Sequence, residues 1–295
     1  MYAVVDCDNC FVSCERVFQP ELLGKPVIVL SNNDGCVVAR SNEAKAIGIK
    51  MGTPLYQLKE VCRTHNVQIR SSNYVLYADM SNRVMSILRD EVGPGQMEQY
   101  SIDEAFLTLH DDSFDYRPWG EALVRKIGQW TGMPVSIGIA PTRTLAKAAT
   151  WFAKRWKGYN KVCIIGNEEQ REKALKALPI DEVWGIGRRG KGKCEYHGIQ
   201  TAWDFTQKSE SWVNNVFTIT GVRTWKELRG ISAITTVLTG DRQTICTSRS
   251  FEKMESEVER LEMYVSNYAA HCAEKLRAQK SVCNMVTVFL QTNHF

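Results

Sequence analysis

Short apolar runs alternate with amphipathic stretches through the first half of the chain, a pattern that predicts strands and helices in succession. Residues 2–5 predict an opening strand, and a helical stretch follows it as far as Pro20. Two further strands, a helix and a last strand are predicted at residues 97–100, 105–109, 119–130 and 135–140. The order strand, helix, strand, strand, helix, strand is the ferredoxin-like arrangement.

An additional unit, residues 21–76, is predicted to be inserted after the first helix. It contains a hairpin, formed by residues 27–30 and 37–40 around Asn32-Asn33-Asp34-Gly35, and short helices at 42–47 and 55–65. A helix at residues 77–92 connects the inserted unit to the second strand of the ferredoxin-like order and ends at Gly93-Pro94-Gly95.

The chain places three carboxylates at predicted strand ends. Asp103 and Glu104 are adjacent at the turn between the second and third strands, and Asp6 ends the first strand. The ferredoxin-like order puts these strands side by side, and charge repulsion disfavours such a cluster unless divalent cations hold it. The pattern therefore predicts two-metal phosphoryl transfer, with ions about 3.5 to 4 Å apart.

From residue 167 onward the pattern is mainly helical. Gly185 and Gly187 stand two apart between predicted helices, which is typical of a helix-hairpin-helix turn whose backbone amides approach a DNA phosphate. Arg188, Arg189, Lys191 and Lys193 add positive charge, although a helix end with a solvated basic face is an alternative. A long helix at 254–280 is predicted between strands at 244–250 and 282–291.

Composition favours a soluble cytoplasmic protein without membrane contact, because 44% of the residues are hydrophobic and no apolar leader or membrane-length run occurs. The ten cysteines are predicted to be reduced packing residues. Cys7, Cys10 and Cys14 have a spacing that suggests an iron–sulfur site, but no fourth ligand is nearby and core packing is favoured.

The net charge of +4 is too small to indicate nucleic-acid binding alone. Residues 122–166, however, contain eight Lys or Arg and no acid, which favours a phosphate-facing surface there.

Six ordered blocks resemble Y-family translesion DNA polymerases, and among them the UmuC-like group. They are VVDCDNCFVSCE, VVARSNEAKAIGIKMGTP, SSNYVLYADMSNRVM, YSIDEAFL, VSIGIAPTRTLAKAAT and VWGIGRR, and the resemblance covers essentially the whole chain. It implies an α+β multidomain fold with a ferredoxin-like palm, inserted fingers, a helical thumb with a helix-hairpin-helix and a partial α/β little finger. The implied boundaries are palm 1–20 and 77–166, fingers 21–76, thumb 167–238 and little finger 239–295.

The resemblance also implies roles for individual residues. Asp6 and Asp103 would bridge two Mg²⁺ ions, Glu104 would bind the ion that activates the primer 3′-hydroxyl, and Cys7 would offer its carbonyl oxygen to the nucleotide-bound ion. Phe11 would lie under the sugar and select deoxynucleotides, although relatives more often have Tyr there and a core aromatic is the alternative. Three lysines complete the implied site: Lys45 and Lys154 on the triphosphate and Lys147 near the carboxylates. For Asp8 we predict a helix N-cap.

The implied function is template-directed DNA synthesis past lesions in the SOS response, with primer–template DNA and dNTP as ligands. Implied partners are the processed UmuD dimer, RecA and the sliding clamp. Two alternatives are another palm-fold nucleotidyl enzyme, such as a nucleotidyl cyclase, and a non-catalytic DNA-binding repair regulator. Because only one strand-helix-strand unit follows the predicted thumb, we expect a truncated little finger and a weakened grip on DNA.

Overall fold

A computed structural model describes residues 1–110, 114–235, 242–251 and 254–292. The strands in these ranges are β1 (Tyr2–Cys7), β2 (Val27–Leu30), β3 (Val37–Arg40), β4 (Gln68–Ser71), β5 (Met97–Gln99), β6 (Glu104–Thr108), β7 (Val135–Ala140) and β8 (Val162–Ile164). The helices are α1 (Cys10–Phe18), α2 (Asn42–Ala46), α3 (Leu55–Thr64), α4 (Tyr74–Val92), α5 (Tyr116–Thr131), α6 (Arg143–Arg155), α7 (Glu168–Ala177), α8 (Arg188–Tyr196), α9 (Ala202–Thr206), α10 (Glu210–Leu228) and α11 (Val258–Ala278).

The main sheet has the strand order β5-β6-β1-β7-β8, in which β1 pairs antiparallel with both β6 and β7. Without β8 this is the ferredoxin-like order, so the predicted palm topology is confirmed. The three-residue strand β8, parallel to β7, was not predicted because so short a run has no clear periodicity.

Strand β1 lies in the centre of the domain and alternates between two cores. Ala3 and Val5 join the core formed with α1, α4 and α5, whereas Val4 joins the core that contains α6. Gly138 of β7 lets α6 approach the sheet closely, because a Cβ atom there would overlap the carbonyl of Ala146 and the amide of Thr150. The sheet thus holds α6 close to the end of β1.

The inserted unit has its own three-stranded sheet, with the order β3-β2-β4. The predicted hairpin is confirmed as the antiparallel pair β2 and β3, and α2 and α3 fall within the predicted helices. Strand β4 pairs in parallel with β2 and was not predicted, since its sequence Gln68–Ser71 has a single apolar residue.

One buried carboxylate connects the helical region to α6 and to the chain beyond α10. Glu227 is 0% exposed, and its carboxylate accepts N–H hydrogen bonds from Thr144 at 2.9 Å, Ala233 at 2.8 Å and Ile234 at 3.1 Å. The Thr142 hydroxyl donates to the Glu227 carbonyl oxygen at 2.8 Å. Glu227 therefore satisfies donors at the start of α6, which would otherwise be buried without acceptors.

The predicted long helix near the end of the chain is present as α11, but the strands predicted at 244–250 and 282–291 are not formed. A strand needs neighbouring strands to bond its backbone. The first segment instead contacts α11 through Cys246 and Thr247, and its Ser250 carbonyl accepts a hydrogen bond from Asn33. Lys275 Nζ, for example, donates to Thr247 Oγ1 at 3.1 Å. Helix α11 itself has no buried residue in the structure.

In the described parts of the chain, no helix is both long and apolar enough to span a membrane.

Candidate active site

The three predicted acids meet where β1 ends and β6 begins. Asp6 lies directly opposite Glu104 in the antiparallel register of these strands, and the Cys7 N–H donates to the Asp103 carbonyl oxygen at 2.9 Å. The strand order thus brings together residues that are far apart in sequence.

Ser101 shapes the acidic turn, although sequence reasoning did not assign it a role. Its hydroxyl donates to Asp103 Oδ1 at 2.5 Å and accepts the N–H groups of Asp103 at 3.2 Å and Glu104 at 3.1 Å. A serine two residues before an aspartate is a local signal for such a turn. Ser101 therefore fixes the backbone that carries both acids.

Two lysines of α6 neutralise the acids. Lys147 Nζ lies 2.5 Å from Glu104 Oε1, with both side chains 16% exposed, and Lys154 Nζ forms an ion pair with Asp6. Seven residues make about two helical turns, so both lysines lie on the same face of α6. The structure therefore places Lys147 beside the carboxylates as expected and Lys154 on Asp6.

Burial and the contact between Asp6 and Glu104 shift the pKa values of the three acids in different directions. Burial, with the hydrogen bond to Glu104, raises the pKa of Asp6 to about 8 even though Lys154 opposes the shift. Burial also raises the pKa of Asp103, whereas the pKa of Glu104 is lowered, because its hydrogen bond with Asp6 and the ammonium of Lys147 outweigh burial. The adjacent carboxyl groups of Asp6 and Glu104 thus have pKa values shifted in opposite directions.

The donor set suits a hard divalent cation. Two aspartates, a glutamate and the backbone carbonyl of Cys7 are all oxygen donors, which Mg²⁺ prefers. Although the three acids lie at adjoining strand ends, no three His, Cys, Asp or Glu side chains among the described residues are arranged to hold a metal ion, and ammonium groups contact Glu104 and Asp6. Displacement of the Lys154 ammonium would free the Asp6 carboxylate, which lies opposite Glu104, so the oxygen donors fit a divalent cation.

The cysteine motif packs in the core, in agreement with the favoured interpretation. Cys7, Cys10 and Cys14 are buried, and the Cys14 thiol lies 3.8 Å from the sulfur of Met133.

Phe11 belongs to a group of three aromatic rings between α1 and α4. It is half-buried and stacks on Tyr77 with ring centroids 4.4 Å apart and planes at 13°, while Tyr74 meets it edge-on at 5.8 Å. The Tyr77 hydroxyl donates to Glu15 Oε1 at 2.6 Å. Tyr77 thus holds Phe11 in place, a role that no local pattern indicated.

Lys45 lies in a cationic pocket between the inserted unit and the end of β1. Its ammonium donates to Asn9 Oδ1 at 2.5 Å and to Asn42 Oδ1 at 3.4 Å. Burial lowers the pKa of Lys45, and the positive charges of Arg40 and Lys154 lower it further. An anion in this pocket would relieve that repulsion.

Asp8 is not the N-cap of α1, so that prediction is wrong. Asn9 occupies the cap position with left-handed backbone angles, while the Asp8 carboxylate turns toward the sheet. It accepts hydrogen bonds from Ser136 Oγ and Lys161 Nζ, both at 2.9 Å. The charge of Lys161 and the register beside β7 outweigh the local capping preference.

The glycine hairpin lies immediately before α8. Gly185 has φ +94°, a conformation that favours glycine, and Gly187 precedes the first turn of the helix. Arg188 and Arg189 are exposed. Lys191 instead pairs with Asp181 at 2.8 Å, and Lys193 donates to the Val216 carbonyl at 2.6 Å. These two ammonium groups therefore already have partners within the protein.

Comparisons with known proteins agree with this fold. Residues 5–151 match the impB/mucB/samB family model, and residues 242–295 match the model of the family's C-terminal domain. Protein ImpB and protein UmuC, both of Salmonella typhimurium, are each 40% identical to the chain, covering all of it and 70% of their own length. The fold is similar to that of DinB from Sulfolobus solfataricus, with a TM-score of 0.67, 24% identity, and coverage of 79% of this chain and 69% of that one. An insertion ternary complex of Dbh DNA polymerase gives the same TM-score and coverage at 25% identity.

The fold is that of the Y-family DNA polymerases, a class of metal-dependent nucleotidyltransferases. The chain belongs to the impB/mucB/samB family and is a UmuC-like DNA-directed DNA polymerase of translesion synthesis in the SOS response. The function predicted from the sequence blocks is thereby confirmed, and the nucleotidyl cyclase and regulator alternatives are not retained.

Proposed function

We propose that Asp6, Asp103, Glu104 and the Cys7 carbonyl hold two Mg²⁺ ions and form the nucleotidyl-transfer centre of this polymerase. The observation that supports this most directly is the register that sets Asp6 opposite Glu104, with Asp103 on the adjoining turn. Such a pair of ions lowers the pKa of the primer 3′-hydroxyl and stabilises charge on the leaving pyrophosphate.

The protein's own groups have separable tasks in this proposal. Glu104 and Asp103 would hold the ion that activates the primer 3′-hydroxyl, while the Ser101 hydroxyl bonds the turn that carries them. Lys154 leaves Asp6 for a phosphate oxygen when the nucleotide enters, and Lys45 binds the triphosphate from the opposite side. The primer 3′-hydroxyl gives its proton to solvent, its oxygen forms a bond to the α-phosphorus, and the bond to the leaving pyrophosphate breaks.

Extension of a labelled primer tests the proposal. We expect incorporation of dNTP on a primer–template to require added Mg²⁺ and to continue past an abasic template position. Incorporation that is unaffected by chelation of divalent cations would contradict the two-ion site.

Phe11 is proposed to exclude the ribose 2′-hydroxyl. Phe11→Ala should raise the ratio of kcat/KM for ribonucleotides to that for deoxynucleotides by about tenfold or more, because the pocket beneath the sugar opens. Single-nucleotide incorporation with matched rNTP and dNTP measures this ratio. Phe18→Ala, at the exposed end of the same helix, is the control and should leave it unchanged; an unchanged ratio for Phe11→Ala would make Phe11 a packing residue only.

The Gly185–Gly187 hairpin with Arg188 and Arg189 is proposed to bind phosphates of the duplex. Replacing either arginine by Ala should weaken primer–template binding and reduce the slope of log Kd against log salt by about one. Lys191→Ala is the matched control, because its ammonium already pairs with Asp181. Equal slopes for all three variants and the parent would argue against this interface.

The remaining assignments also belong to the proposal. The sequence boundaries divide the chain into palm (1–20 and 77–166), fingers (21–76), thumb (167–238) and little finger (239–295). The processed UmuD dimer, RecA and the sliding clamp are proposed partners, and the cytoplasm is the proposed location. These boundaries, partners and location rest on the family resemblance. Co-purification of the chain with each partner tests the proposed partners.

A further inference from the structure

An aromatic contact joins the glycine hairpin to the acidic turn. Trp184, which immediately precedes Gly185, donates its indole N–H to the Tyr100 hydroxyl at 3.3 Å. The Tyr100 ring meets Trp184 edge-on, with centroids 5.6 Å apart, and Phe106 of β6 lies 5.7 Å from Trp184. We refer to Trp184 and Tyr100 together as the aromatic bridge.

The aromatic bridge also contacts the cation that neutralises Glu104. Lys147 Nζ lies 5.4 Å from the centre of the Tyr100 ring and 6.0 Å from that of Trp184, while it pairs with Glu104 at 2.5 Å. Both distances are within the range of cation–π attraction. The backbone of Tyr100 is bonded as well, since its N–H donates to the Glu104 carbonyl at 3.0 Å.

From these contacts we propose that Trp184 is a positioning residue for Glu104, acting through Tyr100 and Lys147. DNA bound at the hairpin then keeps Trp184 in contact with Tyr100 and Lys147. Through these contacts, Trp184 holds Lys147 and the acidic turn in the geometry that catalysis needs. The rate of nucleotide addition therefore depends on the hairpin beyond its contribution to DNA affinity. This inference rests on the proposed role of Glu104.

The experiment compares Trp184→Ala and Tyr100→Ala with the parent chain at saturating DNA and dNTP. We expect both variants to slow single-turnover incorporation by about tenfold, since misplacement of a reacting group by about 1 Å costs up to 10²-fold. Both should also raise the Mg²⁺ concentration for half-maximal rate several-fold, a change that lost DNA affinity alone does not cause. Tyr100 lies outside the hairpin and is 48% exposed, so its variant tests the bridge without removing a hairpin residue.

Two controls make the outcome decisive. Trp203→Ala removes a tryptophan of α9 that contacts Lys176 instead, and it should leave both quantities unchanged. Trp184→Phe keeps a ring against Lys147 and should stay within about threefold of the parent rate, as expected for loss of one exposed hydrogen bond. Parent-like rates and Mg²⁺ dependence in Tyr100→Ala, or equal losses in Trp203→Ala, would overturn the inference.

Glu104→Gln separates this inference from the proposed function. If that variant stays active, the proposed catalytic role of Glu104 fails. If it is inactive while both bridge variants behave like the parent, only the positioning role of Trp184 fails.

Discussion

Asp103→Asn and Glu104→Gln are each expected to abolish nucleotide incorporation while primer–template affinity stays within about threefold of the parent, since phosphate contacts elsewhere supply most of the binding free energy. Either change removes one anionic oxygen donor from the site where β1 and β6 place Asp6 opposite Glu104. The loss of rate should reach about 10³-fold or more, the scale seen when electrostatic support of a transition state is removed.

Single-turnover incorporation and fluorescence-anisotropy binding, measured on the same preparations, test this expectation. Asp79→Asn is a suitable control, because Asp79 is an exposed acid that pairs with Arg83 on α4. Its rate should equal that of the parent. A parallel fall of rate and DNA affinity in the Asp103 and Glu104 variants would show that these acids support the fold or the DNA interface instead.

Glu227→Ala is expected to produce the largest loss of stability. It removes the acceptor of three backbone N–H groups, those of Thr144, Ala233 and Ile234. Each unsatisfied buried donor costs about 1–3 kcal/mol, and water will reach the half-buried ones, so we expect a loss of about 3 kcal/mol.

The midpoint of urea unfolding, followed by circular dichroism, measures this loss. Glu210→Ala is the matched control on the same helix, since Glu210 forms an exposed ion pair with Lys226 and is 53% exposed. Its effect should be below about 0.5 kcal/mol. If the two variants unfold at the same urea concentration, Glu227 does not tie α10 to α6 in the way described.

The main topology was predictable because it follows from element order. Once two strands were expected around the acidic turn and one before Asp6, the ferredoxin-like arrangement placed the acids together, and the register of Asp6 with Glu104 agrees. Local signals also identified the glycine hairpin and the hairpin of the inserted unit. These features depend on periodicity or on turn chemistry that a single segment contains.

Other parts of the site depend on contacts between distant side chains, for which a sequence has no local pattern. The Tyr77–Glu15 hydrogen bond spans 62 positions and the Trp184–Tyr100 bond spans 84. Asp8 shows the opposite failure, because the local capping preference is outweighed by Lys161, which immediately precedes the short strand β8. The apolar segment at 282–291 has strand propensity, but propensity alone forms no sheet.

The two lysines of α6 act as counter-ions for the acids of the proposed catalytic centre. Lys147 and Lys154 already balance Glu104 and Asp6, so the fold does not depend on an external cation to contain its buried acids. In the proposed centre, metal binding at Asp6 accordingly replaces the Lys154 ammonium by another positive charge. Under the proposed function, a triphosphate that drew Lys154 away would promote this exchange, so that nucleotide binding would also prepare the metal site.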